Sequence, residues 1–218
     1  MNKKNLLRYT LLIIFITSLV SANQTKIIAW DKTEVFQTLD PNKDSVNAVF
    51  RLKNNGNKAL RISSLEKSNN SLKTIIKGRL IHPNEYGDIE CIFPSQKIPG
   101  IYKNRINVYF NEEKTEFTTL YYIIEVPNLI RFEPNVLYLD QFKKSFVNIY
   151  LDSRYIDKIN DVIYDKNLYN VSLTNEEEKC LVVVTPLAEE IPYSSSVTFE
   201  VKGKNKYSQI GQLLIINQ

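Results

Sequence analysis

The chain has 218 residues, 43% hydrophobic and 24% charged, the balance of a globular protein and not of wholesale disorder. One His, two Cys and six Gly leave no material for a histidine-rich metal site, a disulfide framework or a glycine-rich phosphate loop. The formal net charge of +4 owes most to Lys3, Lys4 and Arg8. Removing these from the 28 Lys and Arg leaves 25 against 24 Asp and Glu, without the surplus cation that nucleic-acid binding needs.

Residues 1–22 have the three parts of a secretory signal. Lys3, Lys4 and Arg8 form the positive segment, Leu11 through Val20 the apolar one, and Val20-Ser21-Ala22 places small residues where a signal peptidase reads. Cleavage is expected before Asn23. The apolar stretch is about half of the ~20 residues that a spanning helix requires. No stable transmembrane anchor is therefore expected after cleavage, and the protein is read as exported, periplasmic or extracellular.

Past the leader the dominant signal is period two. Ala48, Phe50 and Leu52 share one parity, and Leu60-Arg61-Ile62 continues the alternation. Gly87 through Phe93 places Ile89, Cys91 and Phe93 on one side, with Asp88 and Glu90 on the other. Ile106, Val108 and Phe110 alternate in the same way, and Phe117 through Val126 is apolar on both faces. Later runs are Phe146–Leu151, Leu181–Thr185 and Val197–Val201. Each ends in Asn, Asp, Gly, Pro or Lys clusters, as strands end in turns. Ala, the best helix former, occurs five times, whereas the strand-favouring Tyr occurs 13 times. One stretch reads differently: within Ser153 to Asp165, the spacing of Tyr155, Ile156 and Ile159 suits a helical turn.

A boundary is expected near Pro127, where one strand ends and Asn128–Pro134 begins another. The fold class is all-β: two tandem immunoglobulin-like antiparallel β-sandwiches after a signal peptide, with domains at 23–127 and 128–218. The parity of Cys91 makes it a core residue of its own strand. With Cys180 in the other domain, both thiols are expected to be free.

The segment Phe50-Arg51-Leu52-Lys53-Asn54-Asn55-Gly56-Asn57-Lys58-Ala59-Leu60-Arg61-Ile62 resembles the aromatic-x-x-x-Asn-x-Gly…Leu-x-Ile signature of a bacterial exported family of unknown function. That family falls in the immunoglobulin-like group with major sperm protein, hydin-type and pilus-chaperone-type sandwiches. Pro83 and Pro99-Gly100-Ile101-Tyr102 resemble its later turn positions, so the resemblance spans residues 25–126. Members commonly carry Ser-Cys-Gly-Cys where this chain has Ser68-Asn69-Asn70-Ser71, so no thiol, redox or metal role carries over. Physically, Asn54-Asn55-Gly56-Asn57 reads as a turn whose Gly and Asn tolerate positive φ.

Catalysis needs a nucleophile, a base and a stabiliser that converge. His82, in Ile81-His82-Pro83-Asn84-Glu85, reads as a surface turn residue without an Asp/Ser partner motif. Asp161, Asp165 and Glu176-Glu177-Glu178 lack calcium-loop spacing and read as solvated turns. Asn23-Gln24-Thr25, Asn69-Asn70-Ser71 and Asn170-Val171-Ser172 match the glycosylation triplet and receive no role. No catalytic, metal or cofactor-binding residue is assigned, and no cofactor is expected.

Pairing Ile106 with Leu120 and Val108 with Thr118 across Glu112-Glu113-Lys114 turns Leu120, Tyr122, Ile124 and Val126 inward. It leaves Tyr109 opposite Phe117 and Arg105 opposite Tyr121 on the outside. Tyr109, Phe117, Tyr121 and Ile123 are the candidate partner-binding residues. The function expected is non-catalytic binding or scaffolding at the bacterial cell envelope, with an envelope protein or surface polymer as partner. Two alternatives remain. One is a periplasmic chaperone of the two-domain pilus-assembly type, against which the short connection before Phe117 counts. The other is a cryptic carbohydrate-active enzyme with carboxylates from distant strands. Mass spectrometry of the exported protein should give the mass of Asn23–Gln218; a mass that retains residues 1–22 refutes the cleavage reading.

Overall fold

The computed structural model describes residues 27–111, 117–140, 143–176, 179–188, 190–203 and 207–217. The leader, the triplet at Asn23, the loop Glu112-Glu113-Lys114 and the pair Glu177-Glu178 lie outside the described residues. Among the described residues every regular element is a strand. The first nine are β1 (Ile28–Trp30), β2 (Glu34–Thr38), β3 (Ser45–Asn54), β4 (Leu60–Lys67), β5 (Lys73–Lys77), β6 (Leu80–Ile81), β7 (Tyr86–Pro94), β8 (Gly100–Phe110) and β9 (Phe117–Val126). Eight follow: β10 (Ile130–Glu133), β11 (Val136–Leu139), β12 (Ser145–Leu151), β13 (Ile156–Ile163), β14 (Tyr169–Asn175), β15 (Cys180–Pro186), β16 (Ser194–Gly203) and β17 (Ser208–Asn217).

Four sheets result, in the orders β1-β3-β7-β5, β2-β9-β8-β4-β6, β10-β12-β15-β14 and β11-β17-β16-β13. The second pair repeats the order of the first, with β6 as an additional edge. Each pair has the ABED and GFC strand orders of an immunoglobulin-like sandwich. One correction applies to the antiparallel expectation. β2 runs parallel to β9 and β11 parallel to β17. In each case the opening strand is split. Its first part pairs antiparallel in one sheet, and its second part crosses to the facing sheet and lies beside the last strand, which runs the same way.

Period two places the cores. Ala48, Phe50 and Leu52 of β3 are buried with Ile89, Cys91 and Phe93 of β7, opposite Ile106 and Val108 of β8 and Leu120, Tyr122 and Ile124 of β9. A second cluster gathers Val147, Ile149, Val182, Val184, Val197, Phe199, Leu213 and Ile215. Cys91 belongs to the first cluster and Cys180 to the second, and both thiols are free.

The helical turn read in Ser153–Asp165 is a strand, β13, entered through a turn in which the Ile156 N–H donates to the Asp152 carbonyl at 2.9 Å. The misleading spacing has a cause. β13 breaks register with β16 between Ile156 and Lys158 and again between Ile159 and Asp161. Each bulge adds one residue. Ile156, Ile159 and Val162 therefore oppose Gly203, Val201 and Phe199 although they lie three apart in sequence.

A second correction concerns Asn54-Asn55-Gly56. Positive φ among non-glycine residues occurs at Asn84 and Asn111, and among the glycines at Gly78 and Gly100. Gly56 is required for space: a Cβ there would lie 2.9 Å from Ile27 Cγ2 and 3.1 Å from Asn54 Oδ1. Asn54 has 0% exposure. Its Nδ2 donates to the carbonyls of Lys58 (2.8 Å) and Ile81 (2.9 Å), and its Oδ1 accepts the Gly56 N–H at 2.9 Å.

Further contacts tie the strands around the second cluster to the Pro127 connection and to the segment between β7 and β8. Gln209 is fully buried; its Oε1 accepts the Leu129 N–H (2.8 Å) and its Nε2 donates to the Pro127 carbonyl (2.7 Å). The Tyr207 hydroxyl donates to the Gln96 carbonyl, the Ile210 N–H donates to the Lys97 carbonyl, and Lys97 pairs with Glu200 at 3.1 Å. Asn54→Ala should leave the buried Ile81 carbonyl unmatched, together with the part-buried Lys58 carbonyl and Gly56 N–H, a loss of about 1–3 kcal/mol in denaturant unfolding. A change within ~0.5 kcal/mol would show that water replaces the amide there.

Candidate functional site

The four residues singled out by the sequence lie together on the outer face of the sheet β2-β9-β8-β4. The β8–β9 register is the one read from parity: Tyr109 opposes Phe117, Asn107 opposes Thr119, Arg105 opposes Tyr121 and Lys103 opposes Ile123. The inward set Leu120, Tyr122, Ile124 and Val126 is buried. Phe117 is 52% exposed, while Tyr109, Tyr121 and Ile123 are half-buried by their neighbours on the same face.

These neighbours hold one another. The rings of Tyr109 and Phe117 are 5.3 Å apart and tilted by 45°. This is the edge-biased geometry that aromatic quadrupoles favour. The Lys103 ammonium sits 4.7 Å above the Tyr121 ring. The Tyr109 hydroxyl donates to Glu66 Oε2 at 2.7 Å, and the Thr119 hydroxyl donates to Asn107 Oδ1 at 3.0 Å. The bonds from Tyr109 and Asn107 hold the Glu66 carboxyl below its ordinary value. In return, the bond to Glu66 raises the Tyr109 phenol.

Sequence reasoning missed Phe36. It is 57% exposed and extends the face, because β2 lies beside β9 with Phe36 opposite Ile123. Val35 of β2 alternates inward, so its parity was readable, but its parallel neighbour lies 87 residues away and leaves no local trace. Lys103 was missed as well. Its cation–π contact depends on the ring that the neighbouring strand brings beneath it.

The remaining reactive groups are dispersed. His82 is exposed in a turn where the Glu85 N–H returns to its carbonyl and Asn84, after Pro83, has φ 67°. This is the pattern of a type II turn. Burial pushes the Cys91 thiol up to about 12 and raises that of Cys180, so both stay protonated at neutral pH. Cys180 adjoins a cleft of about 320 Å³ with Ile149, Leu151, Ile156 and Ile159 in its walls and Lys158 and Glu176 at its rim. Among the described residues no group of three or more His, Cys, Asp or Glu is placed to hold a metal ion. Ser68-Asn69-Asn70-Ser71 forms a turn: Asn69 Oδ1 accepts the Ser71 N–H, and Asn69 Nδ2 donates to Asn104 Oδ1 at 3.0 Å.

Residues 28–125 match the model of a family described as protein of unknown function (DUF1573), the span that carries the Asn-x-Gly…Leu-x-Ile pattern. No curated protein matches the chain. Similar solved structures include a protein of unknown function from Porphyromonas gingivalis W83, at 8% identity and TM-score 0.34, covering 88% of this chain and 99% of that one. Another is the YadV chaperone, at 12% identity and TM-score 0.34, covering 86% and 99%. A third is the surface layer protein SbsC, domains 4–9, at 12% identity and TM-score 0.33, covering 88% and 31%.

The Glu66–Tyr109 bond sets a pH dependence. A carboxyl whose folded pKa is depressed contributes stability above its unfolded value and loses it as pH falls through the folded value. In a carboxyl-detected NMR titration Glu66 should titrate below the ordinary glutamate range and move upward in Tyr109→Phe. The stability gap between the two proteins should close as pH falls through the folded pKa of Glu66.

Proposed function

We propose that the protein is a non-catalytic binding or scaffolding component of the bacterial cell envelope, exported by its leader and divided into two immunoglobulin-like domains near Pro127. Two separate apolar clusters and a repeated strand order support the division. The buried, protonated thiols and the isolated His82 support a role without catalysis.

The observation that carries the binding role is the outer face of the five-stranded sheet. Phe36 and Phe117 are more than half exposed there, and Tyr109, Tyr121 and Ile123 stand beside them. Rings of this size, placed together on a hydrogen-bonded sheet, lose little conformational entropy when covered and are the residues that dominate recognition surfaces. The partner fitted to the face is an envelope protein or a surface polymer.

Phe117→Ser combined with Tyr121→Ser tests the assignment. Thermal melting should stay within a few degrees of the wild type while capture of a partner from envelope extract is lost. Cooperative melting at a much lower temperature would make these side chains part of the fold. Unchanged capture would remove the face from the function.

A further inference from the structure

Among the described residues eight strands end the four sheets, and a sheet end is where another chain can add a strand. Most of the eight carry an obstacle. β1, β6, β10 and β11 have four residues or fewer. β2 has five residues and opens with Glu34. β5 begins and ends with lysine, and β13 combines two register breaks with Asp157, Lys158 and Asp161. β14 is the exception. Tyr169-Asn170-Val171-Ser172-Leu173-Thr174-Asn175 pairs with β15 over seven consecutive positions without a break, and it contains no charge, Pro or Gly.

Hydrogen-bond alternation tells which groups face outward. In the β14–β15 register the Leu187 N–H donates to the Leu168 carbonyl, and the Glu176 N–H donates to the Lys179 carbonyl. Even-numbered positions of β14 therefore bond towards β15, and the N–H and C=O of Val171 and Leu173 point to the open edge.

We propose that β14 pairs antiparallel with β14 of a second copy about a two-fold axis at Ser172, joining two four-stranded sheets into one. This register sets the outward-bonding Val171 and Leu173 against each other; at the strand's start the Tyr169 N–H stays with the Asp165 carbonyl at 3.0 Å, so the pairing runs from Asn170 to Thr174. Val171 then meets Leu173 of the partner subunit as a hydrogen-bonded pair, and the partner's copy covers Leu173, which is 40% exposed. Asn170 meets Thr174 of the partner subunit, polar against polar, and Ser172 meets its own symmetry mate. Identical antiparallel strands set each position against its mirror position, so an edge with charged ends opposes itself: at β5 the same operation brings Lys73 against Lys77 of the partner subunit. β14 escapes that repulsion because it has no charge.

Sedimentation velocity of the purified protein across a concentration series should show a reversible dimer. Val171→Pro removes an outward N–H without breaking a bond to β15, and Ser172→Lys places two ammonium groups at the axis. Each should abolish the dimer while leaving the melting temperature within a few degrees. Ser172→Cys adds a register test. A non-hydrogen-bonded pair has Cα atoms about 4.5 Å apart, within disulfide reach. Oxidised Ser172→Cys should therefore form a covalent dimer, and Thr174→Cys, whose mate is Asn170, should not. A dimer that survives both Val171→Pro and Ser172→Lys, or a Ser172→Cys protein that cross-links no better than Thr174→Cys, overturns the proposal. If Val171→Pro fails to fold, Ser172→Lys and the cysteine pair decide alone.

Discussion

Asn54 is a buried amide on which three segments of the first core converge. It stands at the end of β3, where the chain leaves one sheet for the other, and its side chain bonds to the carbonyls of Lys58 and Ile81 and to the Gly56 N–H. Its own backbone is held as well: its N–H donates to the Glu85 carbonyl, and its carbonyl accepts the Asn84 N–H at 2.7 Å. A crossover of this kind exposes backbone groups that no strand ladder satisfies, and burying them unpaired is costly. One Asn side chain supplies both donors and an acceptor in the right place, and Gly56 keeps the space that lets the turn close over it. The Asn-x-Gly pattern is therefore a packing and hydrogen-bonding requirement, separate from any demand for left-handed backbone.

From that corner the sandwich follows by alternation. Each strand commits one parity to the core, so the opposite parity of β8 and β9 must face outward whatever its chemistry. On most such faces the outward residues are polar. Here aromatic rings occupy several of the positions, and polar contacts fix two of them in place: Glu66 beneath the Tyr109 hydroxyl and Lys103 over Tyr121. The face thus carries aromatic rings held in order among charged and polar neighbours.

The connection between the two cores is short and locked by an amide as well. Gln209, at 0% exposure, reaches from β17 to both sides of the linker, bonding the Pro127 carbonyl and the Leu129 N–H. Tyr207 and Lys97 add contacts that run from the β16–β17 hairpin to the segment between β7 and β8. A linker whose backbone groups are held by a buried side chain has few alternative conformations, in contrast to a Gly/Ser tract.

The sequence by itself determined what depends on near neighbours. The parity of Phe50, Cys91, Ile106 and Leu120, the β8–β9 register and the outward position of Tyr109, Phe117, Tyr121 and Ile123 were all legible, because side chains alternate with a period of two and a hairpin pairs adjacent stretches of chain. Tertiary structure decided whatever joins distant stretches. β2 lies parallel to β9 and brings Phe36 to the face, although no local pattern connects positions 36 and 123. β13 hides its strand character behind two bulges that space Ile156, Ile159 and Val162 as a helix would. The uncharged composition of β14 belongs to its sequence, whereas its place at the end of a sheet comes from the tertiary pairing. The reason is common to all three: parity belongs to a strand alone, whereas a neighbour, a bulge or an open edge exists only relative to another strand, and long-range pairing is settled by the packing of the complete core.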